Sequence, residues 1–190
     1  MKMTFGTAER ACSRTYALAL ASVTLVLLAH AATPSRARQI PQGPIRYGVS
    51  EGAWGEVVSG VQVAVDSPCR QDYRIGAPVE VVLSMRNVSE QPLHYGYGGP
   101  LYDYRFEVVD SHGIPAEPTE FFKGYSFVGS RFGEELLPGE GVQDVFDLTQ
   151  IYVLEANIDY SVVVTRRVPN TNGTGEVQAT SRPLHLILAW

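Results

Sequence analysis

The feature that most constrains the fold is a two-residue alternation of apolar side chains, repeated in short segments between turn residues. Successive side chains of a β-strand point to opposite faces, so this pattern predicts strands with one face in a core and one in water. No segment sustains helical spacing, apart from one turn expected between Leu148 and Leu154. Seven strands are predicted, with these apolar residues: Val57, Val61, Val63, Val65; Val79, Val81, Leu83, Met85; Leu93, Tyr95, Tyr97; Tyr104, Phe106, Val108; Val142, Val145, Phe146, Leu148; Ile158, Tyr160, Val162, Val164; and Leu184, Leu186, Leu188.

Turn signals group these segments into one domain, residues 56–190. A turn at Asp110–Gly113 is predicted to end the fourth strand, and Asn172-Gly173 to lie in a hairpin loop between the last two strands. The stretch from Ile114 to Gly141 is less regular. Short strands joined by turns favour antiparallel pairing in two packed layers. The sequence therefore predicts an all-β protein, a single antiparallel β-sandwich of about seven strands.

The first 31 residues have the pattern of an export signal. Three basic residues precede an apolar run from Tyr16 to Ala29, and the small residues Ala29 and Ala31 end it. The run is shorter than a membrane span and ends as a signal-peptidase site does. We therefore interpret residues 1–31 as a signal peptide, with an uncleaved membrane anchor as the alternative.

Residues 32–55 are rich in proline and glycine and show little apolar periodicity, which is typical of a flexible linker. Trp54, near the end of this stretch, is expected to dock on the domain. With the signal, this organisation predicts a secreted or periplasmic domain. It would contact a membrane only if the signal stays uncleaved.

The charge balance disfavours nucleic acid as a partner. Removal of residues 1–31 takes away three basic residues and one acidic residue, so the net charge falls from −5 to −7. A protein that binds a polyanion needs clustered lysines and arginines on one face. Here the arginines are scattered, and the adjacent Arg166 and Arg167 are expected to point to opposite faces of a strand.

After the signal the chain has one cysteine, Cys69, so no disulfide can form within the domain. A packed core has to supply the stability instead. The thiol either pairs between chains, acts as a nucleophile beside a base, or is a small residue at the strand exit Ser67-Pro68-Cys69.

The segment from Leu154 to Tyr160 resembles the tyrosine corner of immunoglobulin-like and fibronectin type III domains. In that motif a leucine six residues before a tyrosine enters the core, and the tyrosine hydroxyl bonds back to the backbone at the corner. Ala156 and Asn157 stand where proline and glycine are frequent. The resemblance implies an immunoglobulin-like or fibronectin type III-like sandwich and says nothing about activity.

A second resemblance runs through much of the domain. The order of short motifs is similar to that in bacterial BsuPI-type proteinase inhibitors and related secreted immunoglobulin-like domains. This resemblance implies a non-enzymatic bacterial domain, with proteinase inhibition as one alternative function, and it carries over no inhibitory residue. The motifs are Gly76-Ala77-Pro78-Val79, Asn87-Val88-Ser89, Pro92, Tyr102-Asp103, Val109-Asp110, Gly113 and Leu137-Pro138-Gly139-Glu140.

No motif in the sequence predicts catalysis, a cofactor or a metal site. His94, His112 and His185 stand far apart, without metal-ligand spacing. The segment Gly124–Gly129 has one residue too many for a nucleophile elbow. Adjacent carboxylates such as Asp144 and Asp147 are better explained as solvated charges. A hydrolase that uses Cys69 or a histidine is therefore only the third alternative.

One segment of the chain is unusually rich in aromatic residues. Ten of the nineteen aromatic residues lie between Tyr95 and Phe132. Exposed aromatics beside an arginine are typical anchors of protein and sugar interfaces, so the loop 121–132 is the candidate binding site. The alternative is a small apolar core under a long loop. The predicted function is an exported, non-enzymatic binding module for a protein or a cell-surface glycan, of unknown oligomeric state, with these contact residues: Tyr125, Phe127, Arg131 and Phe132.

Overall fold

The alternating segments form the strands of a mostly β structure with several antiparallel sheets. A computed structural model describes residues 48–68, 73–126, 132–171 and 174–189. The predicted signal peptide, the linker up to residue 47, Cys69 and Asn172-Gly173 lie outside these described residues. No helix among the described residues is long and apolar enough to cross a membrane.

Twelve strands follow one another through the described residues: β1 (Val61–Asp66), β2 (Tyr73–Arg74), β3 (Glu80–Asn87), β4 (Leu93–Tyr97), β5 (Tyr104–Asp110), β6 (Glu117–Pro118), β7 (Phe132–Leu136), β8 (Gly141–Asp147), β9 (Tyr152–Val153), β10 (Asp159–Pro169), β11 (Glu176–Thr180) and β12 (Leu184–Ala189). Two one-turn helices, α1 (Pro100–Asp103) and α2 (Glu120–Lys123), lie between strands. A 3-10 turn at Leu148–Gln150 confirms the helical turn that the sequence predicts there.

The first large sheet has the order β1-β3-β8, with both pairs antiparallel. Its centre is β3, whose alternate residues Val81, Leu83 and Met85 are fully buried. Fully burying a side chain of this kind contributes about 1.5–3 kcal/mol relative to leaving it in water. The apolar residues of β3 therefore place fully buried side chains at the centre of this sheet.

The second large sheet is organised around β10, the longest strand. One edge of β10 pairs with β5. The other edge pairs with β11 along its second half and with β12 along its first half. Strand β12 then pairs in parallel with β2. Two smaller ladders are formed by β4 with β7 and by β6 with β9.

The inward side chains of both large sheets belong to one hydrophobic core. Val81 and Leu83 of the first sheet and Val162 and Val164 of the second are each 0% exposed. Tyr160 is buried in the same cluster, and Ile158 packs against its margin. The sequence prediction that these strands share a buried layer is confirmed.

The predicted number of about seven strands was wrong, because β2, β6, β7, β9 and β11 were not predicted. Three of these five contain only two residues, which is too short to show any period. The hairpin partner of β10 is the missed strand β11, and β12 follows it.

Val57 is not part of the first strand, contrary to the sequence prediction. It is 56% exposed, because the chain turns at Ser59 and Gly60, which have positive φ, before β1 begins at Val61. By contrast, Trp54 is 4% exposed and bridges to Ala64, as expected of a docked anchor.

The corner before β10 has the geometry that the tyrosine-corner motif implies. Leu154 is buried, and the Tyr160 hydroxyl accepts a hydrogen bond of 3.0 Å from the Glu155 backbone N–H. Asn157 adopts a φ of 59°, and its N–H donates to the Leu188 carbonyl. Asparagine tolerates this left-handed conformation better than most residues, so it serves where glycine is frequent.

Replacement of Tyr160 by phenylalanine is expected to lower the free energy of unfolding by about 1–2 kcal/mol, because it leaves the Glu155 N–H without its acceptor. Urea unfolding followed by tryptophan fluorescence measures this difference. The matched control is Tyr125→Phe, at an exposed tyrosine, with an expected change within about 0.5 kcal/mol. Equal stabilities of the Tyr160→Phe variant and the parent would contradict the role of this hydroxyl.

Candidate binding groove

The outward face of the second sheet carries polar and cationic side chains at neighbouring positions. In the antiparallel register, Arg105 of β5 lies opposite Thr165 of β10, and Arg167 of β10 lies opposite Gln178 of β11. Inward and outward side chains alternate along each strand, so these four residues share one face. The buried residues next to them, such as Tyr104 and Arg166, point to the interior.

This face forms the floor of an open groove of about 560 Å³. Its walls come from the β4–β5 connection, which contains α1, and from α2. The groove is lined by Leu101, Tyr102, Asp103, Tyr104, Arg105, Phe106, Phe122, Thr165, Arg167 and Gln178. Its size is within the range of small-molecule and peptide sites.

Two cations dominate the charge of the groove. Arg105 and Arg167 are exposed, and neither forms a salt bridge within the described part of the chain. They are diagonal neighbours in the ladder, a relation that places side chains about 7–8 Å apart. Asp103 is the one acidic lining residue, and it faces Arg166 in the interior. Glu107, two residues along β5, lies outside the lining.

The wall at α1 is held in place by glycines and a buried carboxylate. A side chain at Gly98 would come within 2.6 Å of the Tyr102 ring, so only glycine allows this ring to pack on the backbone. The Asp103 carboxylate accepts hydrogen bonds from the Gly98 and Gly99 N–H groups. Tyr102 is thus fixed at the rim, with 41% of its surface exposed.

Beneath the groove, Arg166 is buried with 1% exposure. Its guanidinium donates to the Tyr104 hydroxyl at 2.9 Å and to the Gly96 carbonyl at 3.2 Å, and lies 3.5 Å from Asp103 Oδ2. The Tyr95 and Tyr104 rings lie 5.3 and 4.9 Å from the guanidinium carbon. The predicted opposite orientation of Arg166 and Arg167 is confirmed. Arg166 points into the interior, and Arg167 faces the groove.

Asp144 of β8 extends this polar network across the interior. The Tyr97 hydroxyl donates to Asp144 Oδ1 at 2.9 Å. Burial raises the pKa of the Asp144 carboxyl, although the Tyr97 hydrogen bond and the Arg166 charge act against that rise. Burial also raises the pKa of Tyr97, and it raises the pKa of Tyr95 to about 12. These phenols therefore stay protonated at neutral pH, and the Tyr97 hydroxyl is a hydrogen-bond donor.

Helix α2 presents one aromatic ring to solvent and one to the groove, and Tyr125 follows the helix. The Thr119 hydroxyl accepts from the Phe122 N–H and caps the helix. Phe122 lines the groove and packs against Tyr152, with ring centroids 6.2 Å apart. Phe121 is 57% exposed, and its ring lies 5.5 Å from that of Tyr125, which is 38% exposed. The first part of the loop 121–132 therefore has both an exposed aromatic pair and a packed residue.

The other residues predicted for this site stay predictions. Phe127 and Arg131 lie outside the described residues, and Phe132 is described only through its backbone, as the first residue of β7. Sequence reasoning missed Arg105, Arg167 and Tyr102. The available signal was Arg105 between the inward residues Tyr104 and Phe106, since the alternation that buries its neighbours exposes the arginine.

The histidines are spread over separate surfaces. His94 lies 3.5 Å from Glu135, His112 lies 3.7 Å from Asp110, and the third, on β12, lies 3.7 Å from a β10 aspartate. All three are largely exposed. The described residues contain no group of three histidine, cysteine or carboxylate side chains arranged to hold a metal ion.

Asp144 and Asp147 do not act as a facing pair. Asp147 Oδ1 accepts from the Val79 and Thr149 N–H groups and so caps the turn after β8. Asp144 instead contacts Tyr97. The two carboxylates therefore serve separate local structures. The prediction of solvated charges is wrong for Asp144, because its carboxyl is largely buried against Tyr97.

Comparison with known proteins returns no matching family model and no matching curated protein.

Proposed function

We propose that the chain is an exported, non-enzymatic binding module built on an immunoglobulin-like β-sandwich. It contacts another protein or a cell-surface glycan through the groove on the outer face of the second sheet and the aromatic pair Phe121 and Tyr125. The observation that carries this proposal is the groove itself, where Arg105 and Arg167 face solvent beside exposed aromatic rings. Arginine and aromatic side chains dominate the energetics of protein interfaces.

The sheet orders support the immunoglobulin-like assignment. The order β1-β3-β8 corresponds to strands A-B-E, and β5-β10-β12 corresponds to strands C-F-G. The Tyr160 corner directly precedes β10, as it precedes strand F in those domains. Strand β7, in the place of strand D, pairs with β4 instead of joining the first sheet. The ladder β4-β7 is thus an addition to the immunoglobulin plan.

The polar groups of the interior support binding rather than catalysis. Arg166 and Asp144 each have hydrogen-bond partners inside the protein, and burial raises the pKa of the nearby Tyr95 phenol. A hydrolase needs a nucleophile with a base in hydrogen-bond reach at an accessible surface. The groove offers cations, hydroxyls and aromatic rings, which are groups suited to recognising a ligand.

Affinity capture from the secreted and envelope fractions of the source cells tests this function. The double variant Phe121→Ala, Tyr125→Ala is expected to lose the partner that the parent captures, since loss of a central aromatic anchor costs about 2 kcal/mol, roughly thirtyfold in affinity.

The matched control for this capture is the double variant Ile114→Ala, Ile187→Ala, which removes exposed apolar surface elsewhere. It is expected to retain the partner. If both double variants recover the same species as the parent, the aromatic contact surface is wrong. A wider variant, with alanine at Tyr125, Phe127 and Phe132, extends the same comparison to the whole predicted loop.

A further inference from the structure

We propose that the groove binds an extended acidic segment of a protein partner, in which two carboxylates two residues apart contact Arg105 and Arg167. This inference rests on the proposed function and names the partner chemistry of the same surface. The two guanidinium groups are the primary contacts, and the aromatic wall is the secondary one.

Charge complementarity is the first argument. The two lining arginines have no acidic partner in the described residues, and the one lining carboxylate, Asp103, lies 3.5 Å from Arg166 in the interior. A planar guanidinium binds a carboxylate through two parallel hydrogen bonds. The groove therefore has two unmatched cationic positions that fit carboxylates.

Spacing is the second argument. Arg105 and Arg167 are diagonal neighbours across the β5-β10 ladder, about 7–8 Å apart. Side chains at alternate positions of an extended peptide lie about 6.6–6.8 Å apart, twice the rise of a β-strand residue. An acidic residue followed two positions later by another therefore matches both arginines, whereas adjacent acidic residues in such a peptide point to opposite sides.

The surroundings of the arginines indicate how the rest of the segment binds. Tyr102 packs on Gly98 and is fixed at the rim, and Phe122 forms the opposite apolar wall. Thr165 and Gln178, on the floor, add a hydroxyl and an amide opposite the two arginines. Because Tyr102 is already held in place, binding of an apolar residue beside the two acids costs little free energy for ordering this side chain.

The overall charge favours a short acidic segment over a long polyanion. The chain carries a net charge of −5, so a long anionic polymer is repelled outside the groove. A short segment brings its negative charge only to the local cationic surface. The proposal therefore commits to a protein segment and treats an anionic glycan as an outcome that contradicts it.

Fluorescence anisotropy with a defined probe tests the inference. The probe is a short fluorescein-labelled peptide with aspartates two positions apart and a flanking phenylalanine; its partner probe has asparagine in place of both aspartates. We expect the parent to bind the aspartate probe about tenfold or more tightly than the asparagine probe, with affinity falling as salt rises. The variant Arg105→Gln, Arg167→Gln is expected to lose this preference.

The control variant Arg74→Gln, Arg182→Gln removes the same charge from exposed positions elsewhere and is expected to bind as the parent does. Thermal unfolding of both variants shows whether each remains folded. Failure of the parent to bind the aspartate probe, or equal binding by the groove variant, overturns the inference. Arginine-dependent binding of polygalacturonate in place of the peptide overturns the choice of a protein segment.

The capture experiment separates this inference from the proposed function. If the aromatic variant loses the partner and the groove variant Arg105→Gln, Arg167→Gln retains it, the acidic segment is wrong and the binding function stands. If both variants retain the partner, the contact surface of the proposed function is wrong as well.

Discussion

Replacement of Arg166 by glutamine is expected to lower the free energy of unfolding by about 3–5 kcal/mol, the range for removal of one partner from a buried ion pair. Arg166 is 1% exposed, and the Asp103 side chain 3.5 Å away is 0% exposed. Without the guanidinium, the buried Asp103 side chain loses its cationic partner, and the Tyr104 hydroxyl and Gly96 carbonyl lose a donor. Denaturant unfolding at neutral pH measures the difference.

The neighbour Arg167 supplies the matched control, because it differs from Arg166 mainly in facing the solvent. Arg167→Gln is expected to change stability by less than about 0.5 kcal/mol. The double variant Asp103→Asn, Arg166→Met is expected to be more stable than Arg166→Gln, since it leaves no unpaired charge. If Arg166→Gln and Arg167→Gln lower the free energy of unfolding by similar small amounts, the buried network contributes little to stability.

Replacement of Asn87 by alanine is expected to lower the free energy of unfolding by roughly 2–4 kcal/mol, because it leaves buried carbonyls without donors. The Asn87 side-chain amide donates to the Gln91 and Leu136 carbonyls at 2.8 and 2.9 Å. Its oxygen accepts from the Ser89 N–H and hydroxyl. One side chain thus joins the end of β3, the following turn and the end of β7.

Asn87→Asp is the more discriminating variant. Aspartate keeps the acceptor for Ser89 and replaces the amide donor by a carboxylate oxygen that faces two carbonyls. We expect it to be at least as destabilising as alanine at neutral pH. Gln91→Ala, at an exposed side chain next to the same turn, is the control, and near-equal stability of all three variants would show that the network is dispensable.

The strands and their inward faces could be predicted because burial imposes a short-range period. In β3, β5 and β10 most of the inward residues are apolar, and these apolar residues belong to the core; Arg166 of β10 is the inward exception. The Tyr160 corner was also recognisable, since a leucine and a tyrosine at fixed spacing serve one local turn. The five missed strands contain two to five residues and at most two apolar residues each, which is too little to stand out as a period.

The groove could not be predicted, because its residues are brought together by strand pairing. Arg105 and Arg167 are 62 positions apart in the chain and become neighbours only through the register of β5 with β10. Sequence reasoning concentrated on the aromatic loop, where residues are close in the chain. Of those residues, Tyr125 is exposed beside Phe121, as a contact surface requires.

The sequence by itself determined an all-β protein, the faces its main strands bury and the opposite orientation of Arg166 and Arg167. These properties depend on which side of a strand each residue occupies, and that follows from alternation along the chain. Only the tertiary structure decided that Arg166 meets Asp103 in the interior and that Arg167 joins Arg105 on a groove. Both outcomes depend on pairing between distant segments, whose free energy is set by packing and hydrogen bonding across the whole domain.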